Sequence, residues 1–310
     1  MGTPLLWVGF NLFVLLALVL DLGVFHRKPH KIKIGEAAIW SSVWISLAAT
    51  FGFLVWHWYG ADRGLEYFTG YLIEKVLSVD NLFVFVVIFR TYQVSEDVQH
   101  RVLVWGILGA LVMRGMMIAA GVELIARFHW ILPGFGLFLV YTGLHMFWKR
   151  EKDVHYEKSF LLRFASSHLR FTREYHGERF FLREQGRLFA TPLLLVLLII
   201  EITDVTFAVD SIPAIFGITR DPFIVYSSNV FAILGLRALY FLLADVLEYL
   251  RYLGIGLALI LIFIGAKMVA DPWLRVPVTI SLSVVGSILL LTVLMSILAG
   301  PSKTNEPPAS

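Results

Sequence analysis

The chain has no cysteine among its 310 residues, and only 16% of them are charged. The first absence removes disulfides, thiolate nucleophiles, zinc–thiolate sites and iron–sulfur clusters together. The second, with 58% hydrophobic residues and a mean hydropathy of +0.77, rules out a soluble globule; such chains are usually about 45–50% apolar and about 25% charged. No GxxxxGK[ST] run occurs, so the phosphate-cradling loop of many nucleotide hydrolases is missing as well. The net charge of +3 does not point to nucleic acid, because the basic residues cluster in loops.

What is present is a series of apolar runs of bilayer length. They predict an all-α, polytopic membrane protein with about nine transmembrane helices, near 5–25, 37–58, 67–89, 102–122, 129–148, 190–212, 223–244, 253–270 and 277–298. The first lacks a basic n-region and a small-residue cleavage site, so it reads as a retained span and not as a signal peptide. Nine Trp, 11 Tyr and 25 Phe supply aromatic belts. Alternate loops divide Lys and Arg unevenly, 18 on one side against Arg63, Arg127, Arg220 and Arg275 on the other. By the positive-inside rule the N-terminus is expected outside and the C-terminus in the cytoplasm. The 149–189 connection, rich in Lys, Arg, Glu and His with interleaved Phe and Leu, reads as a cytoplasmic linker with an amphipathic stretch on the headgroups.

The most informative feature is duplicated. Glu74-Lys-Val-Leu-Ser-Val-Asp80-Asn81 has an echo in Asp204-Val-Thr-Phe-Ala-Val-Asp210-Ser211, and both lie within apolar spans. The likeness continues into Trp105-Gly-Ile-Leu-Gly-Ala-Leu-Val-Met-Arg114 against Asn229-Val-Phe-Ala-Ile-Leu-Gly-Leu-Arg237. It extends to Thr142-Gly-Leu-His145-Met against Ile264-Gly-Ala-Lys267-Met. Three-helix units joined in series must face opposite ways, the inverted-repeat design of many secondary transporters. The expected organisation is therefore a two-helix extension (1–66), repeat 1 (67–148), a cytoplasmic loop (149–189), repeat 2 (190–270), a C-terminal helix (271–298) and a disordered tail (299–310).

A carboxylate at membrane depth costs several kcal/mol and marks a functional site by default. Within each motif the acids are six residues apart, about 9 Å of rise and roughly 120° of rotation on a regular helix, so one helix cannot close both on one ion. Either the helices break at the motifs, or an ion is shared between helices of both repeats. Asn81, Ser211, Thr203 and Thr206 add neutral oxygens, and Glu201 adds a carboxylate near the face of Asp204. Such an oxygen set suits hard divalent ions such as Mn²⁺, Ca²⁺ or Mg²⁺ and not Cu(I). His145 is a lesser addition, and Asp21 either supports the ligands from behind or is simply an interfacial acid. Arg114 and Arg237 read as structural counter-charges, with Lys75 a further cation for internal pairing.

The runs Tyr71-Leu-Ile-Glu-Lys-Val-Leu-Ser-Val-Asp-Asn-Leu-Phe-Val-Phe85 and Phe207-Ala-Val-Asp-Ser-Ile-Pro-Ala-Ile-Phe216 resemble the TerC family of integral membrane proteins, as do Gln99–Ala110 and Asp221–Tyr240. The resemblance covers about residues 5–270 and is nearest to the Alx-type bacterial members. It implies a place in the LysE-like transporter superfamily, a bacterial inner-membrane location, a link to Mn²⁺ export and a historical label of tellurium resistance. By motif match it assigns the metal site to Glu74, Asp80, Asp204 and Asp210, with Asn81, Glu201, Ser211 and Asp21 as secondary positions. The residues around the second motif, Ile202-Thr203 and Thr206, fall where the family varies. Tellurite itself, an oxyanion, would want basic or amide donors, whereas this core is acidic.

The expected function is thus secondary-active export of a divalent metal, most of all Mn²⁺, by H⁺ antiport. No permanently bound cofactor and no enzymatic activity are expected; the partners are the lipid bilayer, the metal and protons. An intramembrane aspartyl protease using Asp80 and Asp210 is the enzymatic alternative, but neither Asp follows Gly-x-Gly. A membrane scaffold or metal-sensing subunit of a stress-response complex is the non-transporting one. The sequence leaves oligomeric state open.

Overall fold

The computed structural model describes residues 2–23, 34–128, 130–148, 171–172, 174–184, 187–243, 252–274 and 276–299. The first part of the 149–189 connection and the 301–310 tail lie outside them. Among the described residues there are ten helices and one β-hairpin: α1 (Pro4–Gly23), α2 (Ile34–Tyr59), α3 (Ala61–Thr91), α4 (Glu96–Arg127), α5 (Ile131–Trp148), β1 (Phe181–Glu184), β2 (Arg187–Ala190), α6 (Pro192–Phe216), α7 (Pro222–Leu234), α8 (Leu236–Leu243), α9 (Leu253–Ala270) and α10 (Val278–Ala299).

The protein is a polytopic helical membrane protein. Helices α1, α2, α4, α6, α9 and α10 are long and apolar enough to cross a bilayer, and α7 with α8, bent by 43° at Gly235, makes a seventh. The sequence led us to expect about nine spans. The span expected at 223–244 is instead two helices, and on length and composition α3 is too charged and α5 too short to qualify. Solvent preference is inverted relative to a soluble bundle. On α10 the buried stripe is Ser281, Val285, Thr292 and Ser296, while Leu290, Leu291, Leu294 and Leu298 face outward. Small residues let helices approach where lipid gives no hydrophobic reason to associate. Ser296 Oγ accepts from Tyr252 N, and Thr292 sits against Gly256.

Local sequence sets several boundaries. Asp221 caps α7 by accepting from the amides of Phe223 and Ile224, with Pro222 at the first helical position, where its missing N–H is no loss. Pro213 lies inside α6, which nevertheless continues to Phe216. The β1–β2 hairpin was not foreseen. It docks on the start of α4 through Arg101–Glu178 at 2.9 Å, and Phe180 lies under the Arg101 guanidinium and edge-on to Trp105. Tyr175, whose hydroxyl donates to Tyr92 O at 2.6 Å, fixes the same segment; partial burial pushes its phenol above the ordinary value.

Contact registers give the helix directions. Gly70 meets Ser228 and Lys75 meets Ala232, so α3 and α7 run parallel; Gly106 meets Ile200 and Gly109 meets Glu201, so α4 and α6 do too. Glu66 meets Thr219 and Gly70 meets Ile215, so α3 and α6 are antiparallel. Helices α5 and α9 are antiparallel through Gly136–Gly265 and Gly143–Ala258. An aromatic cluster of Trp7, Phe10, Phe51, Tyr67, Phe223 and Phe231 ties α1 and α2 to α3 and α7. Trp58, Tyr59, Trp130 and Trp273 are exposed at helix ends, where amphipathic rings suit a bilayer boundary.

Candidate functional site

Both acidic motifs lie on continuous helices, which removes the arrangement in which the helices break at the motifs. The shared element is Arg114 of α4. Its Nε and Nη2 donate to Asp204 Oδ2 and Oδ1 at 3.1 and 2.9 Å, a two-point grip, and its Nη1 donates to Glu74 Oε2 at 2.7 Å. Asn81, its amide oriented to suit its neighbours, donates to Leu77 O at 2.9 Å and offers its oxygen to Arg114 Nη2 at 3.3 Å. Glu74, Arg114 and Asp204 are 1%, 2% and 4% exposed. Three charges from three helices thus meet out of contact with solvent.

The pairing satisfies the arginine more completely than the acids. Glu74 Oε1 is buried without a hydrogen-bond partner, as are Ser211 Oγ, Tyr71 OH and both amide atoms of Asn229. An unsatisfied buried polar atom costs about 1–3 kcal/mol, so none of these atoms contributes to stability as it stands. The cluster carries two carboxylates against one guanidinium. Glu201, one turn before Asp204 on α6, brings a third carboxylate to the α4–α6 interface; there Gly109 makes room for it, since a Cβ would overlap its oxygens.

The remaining candidates are placed elsewhere. From Glu74 to Asp80 and from Asp204 to Asp210 is about 9 Å of rise each. Because α3 and α6 are antiparallel, the two steps lead toward opposite ends of the bundle. Asp80 and Asp210 are half-buried, and Thr142 of α5 is the hydrogen-bonding neighbour of Asp210. Among the described residues no three His, Asp or Glu side chains converge as a ready metal-binding group. Of the four acids assigned by motif match, Glu74 and Asp204 meet at Arg114, and Asp80 and Asp210 lie further along their helices in opposite directions. Asp21 belongs to a second cluster, paired with Arg237 at 2.7 Å, and Arg237 also lies 2.9 Å from His100 Nε2. His145 stacks on Tyr141 of its own helix, and Glu123 pairs with Arg127 at an exposed helix end. A polar cavity of about 410 Å³ opens beside the C-terminal ends of α6 and α9, lined by Arg63, Glu66, Thr219, Arg220, Lys267 and Asp271.

Sequence reasoning gave Arg114 a counter-charge role without placing it between the motifs, and it passed over Asn229, Tyr71 and Thr142. The signal for Asn229 was present: an amide following two serines inside an apolar span is costly to bury unless it is hydrogen-bonded, although less so than an ionised carboxylate.

Fold and site together define a multi-pass membrane protein with a charged centre buried among its helices. The chain belongs to the TerC family: residues 59–304 match the family described as integral membrane protein TerC. It is 50% identical over 297 residues to an uncharacterized membrane protein, STKORF319, of Myxococcus xanthus, covering 96% of this chain and 93% of that one. Proteins provisionally named membrane-bound redox modulator Alx are similar along their whole length. The one from Photorhabdus laumondii is 45% identical over 315 residues, covering 98% of each chain. The one from Escherichia coli K12 is 47% identical over 305 residues, covering 95% of each. No solved structure matches the chain.

Proposed function

We propose that this protein is a secondary-active exporter of divalent metal, with Mn²⁺ the leading substrate and H⁺ the counter-ion. It would sit in the bacterial inner membrane with its N-terminus outside, as a member of the LysE-like transporter superfamily. The observation that carries the reading is the meeting of Glu74 and Asp204, the matched first acids of the two motifs, around one buried cationic group. Two carboxylates and the Asn81 oxygen already hold a positive charge at membrane depth; a hard divalent ion asks for the same donors.

The packing supports the inverted repeat on which the reading depends. If α3, α4 and α5 correspond to α6, α7–α8 and α9, a two-fold relation exchanges the α3–α7 contact with the α4–α6 contact, and both are parallel pairs. The same relation sends Gly136 to Ala258 and Gly143 to Gly265, so the two close α5–α9 contacts are images of one another. Every direction read from these contacts agrees with nine alternating crossings in which α3, α5 and the bent α7–α8 pair also span. The second acid of each motif then leads from the centre toward a different side of the membrane.

The alternative is a scaffold or metal-sensing subunit without transport. It is favoured by the completeness with which Arg114 engages Asp204, since a buried ion pair can be purely structural. The relatives' provisional name, redox modulator, would have to act here without thiols, because the chain has no cysteine. Reconstitution into vesicles separates the readings. Flux of Mn²⁺, Ca²⁺ and Mg²⁺ is followed with and without a pH gradient. An exporter turns over and is driven by an opposing proton gradient; a scaffold binds metal or ignores it, with no flux.

A further inference from the structure

The guanidinium of Arg114 occupies the donor set that a transported cation would need: both Asp204 oxygens, one Glu74 oxygen and the Asn81 amide oxygen. We propose that Arg114 is a built-in competitor for the cation, filling the site in the unloaded protein and yielding it by moving to Glu201 when metal enters. This rests on the exporter reading above.

The charge count motivates the competition. Two carboxylates left facing each other inside the bundle, with neither metal nor guanidinium, would be two uncompensated buried charges, each penalised by several kcal/mol. Arg114 removes that penalty and gives the empty protein a stable form. Metal must then compete with it. The observed affinity is the intrinsic affinity reduced by the fraction of molecules in which Arg114 has left the acids.

Geometry names the acceptor. Arg114 and Glu201 both lie on the α4–α6 interface, where side chains of a helix lean toward its N-terminus. Asp204 is the acid that Arg114 holds now, and Glu201 is one turn further toward the shared N-terminal end of these parallel helices. The Glu201 carboxylate accepts no hydrogen bond from the described residues and is seated over Gly109, which leaves it backbone-close space on α4. A shift of about one turn, roughly 5 Å, transfers the guanidinium from Asp204 to Glu201. Glu74 Oε1, unpartnered at present, and the two Asp204 oxygens are then free for metal.

The test is Mn²⁺ titration of the purified full-length protein at alkaline pH, with Arg114→Met, Arg114→Lys, Glu201→Gln and the Arg114→Met/Glu201→Gln double variant. Arg114→Met is expected to bind at least tenfold more tightly than wild type. Arg114→Lys, which keeps charge but loses the two-point grip, should fall between them. Glu201→Gln should weaken binding severalfold when Arg114 is present and have no effect in the Arg114→Met background. In vesicles, Arg114→Met should lose net efflux while retaining Mn²⁺–Mn²⁺ exchange. If Arg114→Met does not fold, the order of Arg114→Lys and wild type decides: a lysine variant binding no tighter than wild type overturns the proposal. Equal weakening by Glu201→Gln in both backgrounds makes Glu201 a direct ligand and overturns its role as acceptor. Wild type that neither binds nor moves Mn²⁺ removes the exporter reading itself, a result distinct from wild-type flux with an indifferent Arg114.

Discussion

Gly136 of α5 and Gly265 of α9 pack backbone to backbone: a Cβ on the first would come within 2.7 Å of the carbonyl oxygen of the second. The contact recurs seven residues along as Gly143 against Ala258 O. Together they make a seam of small residues that locks α5 to α9, where dispersion and close approach must supply what the hydrophobic effect does not.

Gly265→Val should therefore destabilise the folded protein by about 1–3 kcal/mol, the usual cost of forcing volume into a packed interface. Gly134→Ala, on the partner helix α5 with nothing near its Cβ position, should be no less stable than wild type. Thermal unfolding in detergent checks both. Equal melting temperatures for Gly265→Val and wild type would show that the seam is not a structural constraint.

The fold class was legible because bilayer-length apolar runs carry their own signal, and the acids at 74, 80, 204 and 210 stood out against that background. Two things were not legible. The break at Gly235 was hidden because one glycine in an apolar run is ordinary; what that glycine does is tertiary, giving room to Lys75 Nζ and Trp44 Cβ from other helices. The place of Arg114 was hidden because sequence spacing fixes a side chain's face on its own helix but not which partner faces it. Only the α4–α6 register, set by Gly106 and Gly109, brings that arginine to Asp204.

Asp80→Asn and Asp210→Asn are each expected to abolish Mn²⁺ efflux from vesicles while leaving membrane insertion and yield intact. Asparagine keeps the size and one carbonyl oxygen but removes the charge. Breaking the Arg114 bridge by Asp204→Asn should by contrast cost stability as well, roughly 3–5 kcal/mol for a buried pair. Wild-type flux in both variants would remove these positions from the pathway.

Topology gives an independent check on direction. The 18-to-4 division of basic residues predicts that a reporter fused near Lys158 reads cytoplasmic and one at Gly60 reads external. In that orientation the cavity beside Lys267 and Asp271 opens to the outside and the β1–β2 hairpin caps the inside. The opposite reporter pattern would reverse the inferred export into uptake.

Proton coupling makes the last prediction, and its sign follows from shared ligands. Carboxylates bind metal only when deprotonated, so protons and Mn²⁺ compete for the oxygens of Glu74, Asp204 and the flanking acids. Affinity should fall as pH falls, by roughly tenfold per pH unit for each proton that the metal displaces. A site open to an alkaline cytoplasm holds fewer protons and loads metal more readily; the same site open to an acidic exterior is driven to exchange metal for protons. Export should accelerate as the internal pH of the vesicle compartment corresponding to cytoplasm rises and slow when the gradient is reversed. Titration of Mn²⁺ binding from mildly acidic to alkaline pH measures the competition directly. An isotherm that does not move across that range would mean that metal and proton do not share the carboxylates, leaving uniport or a non-transporting role for the Arg114-centred cluster.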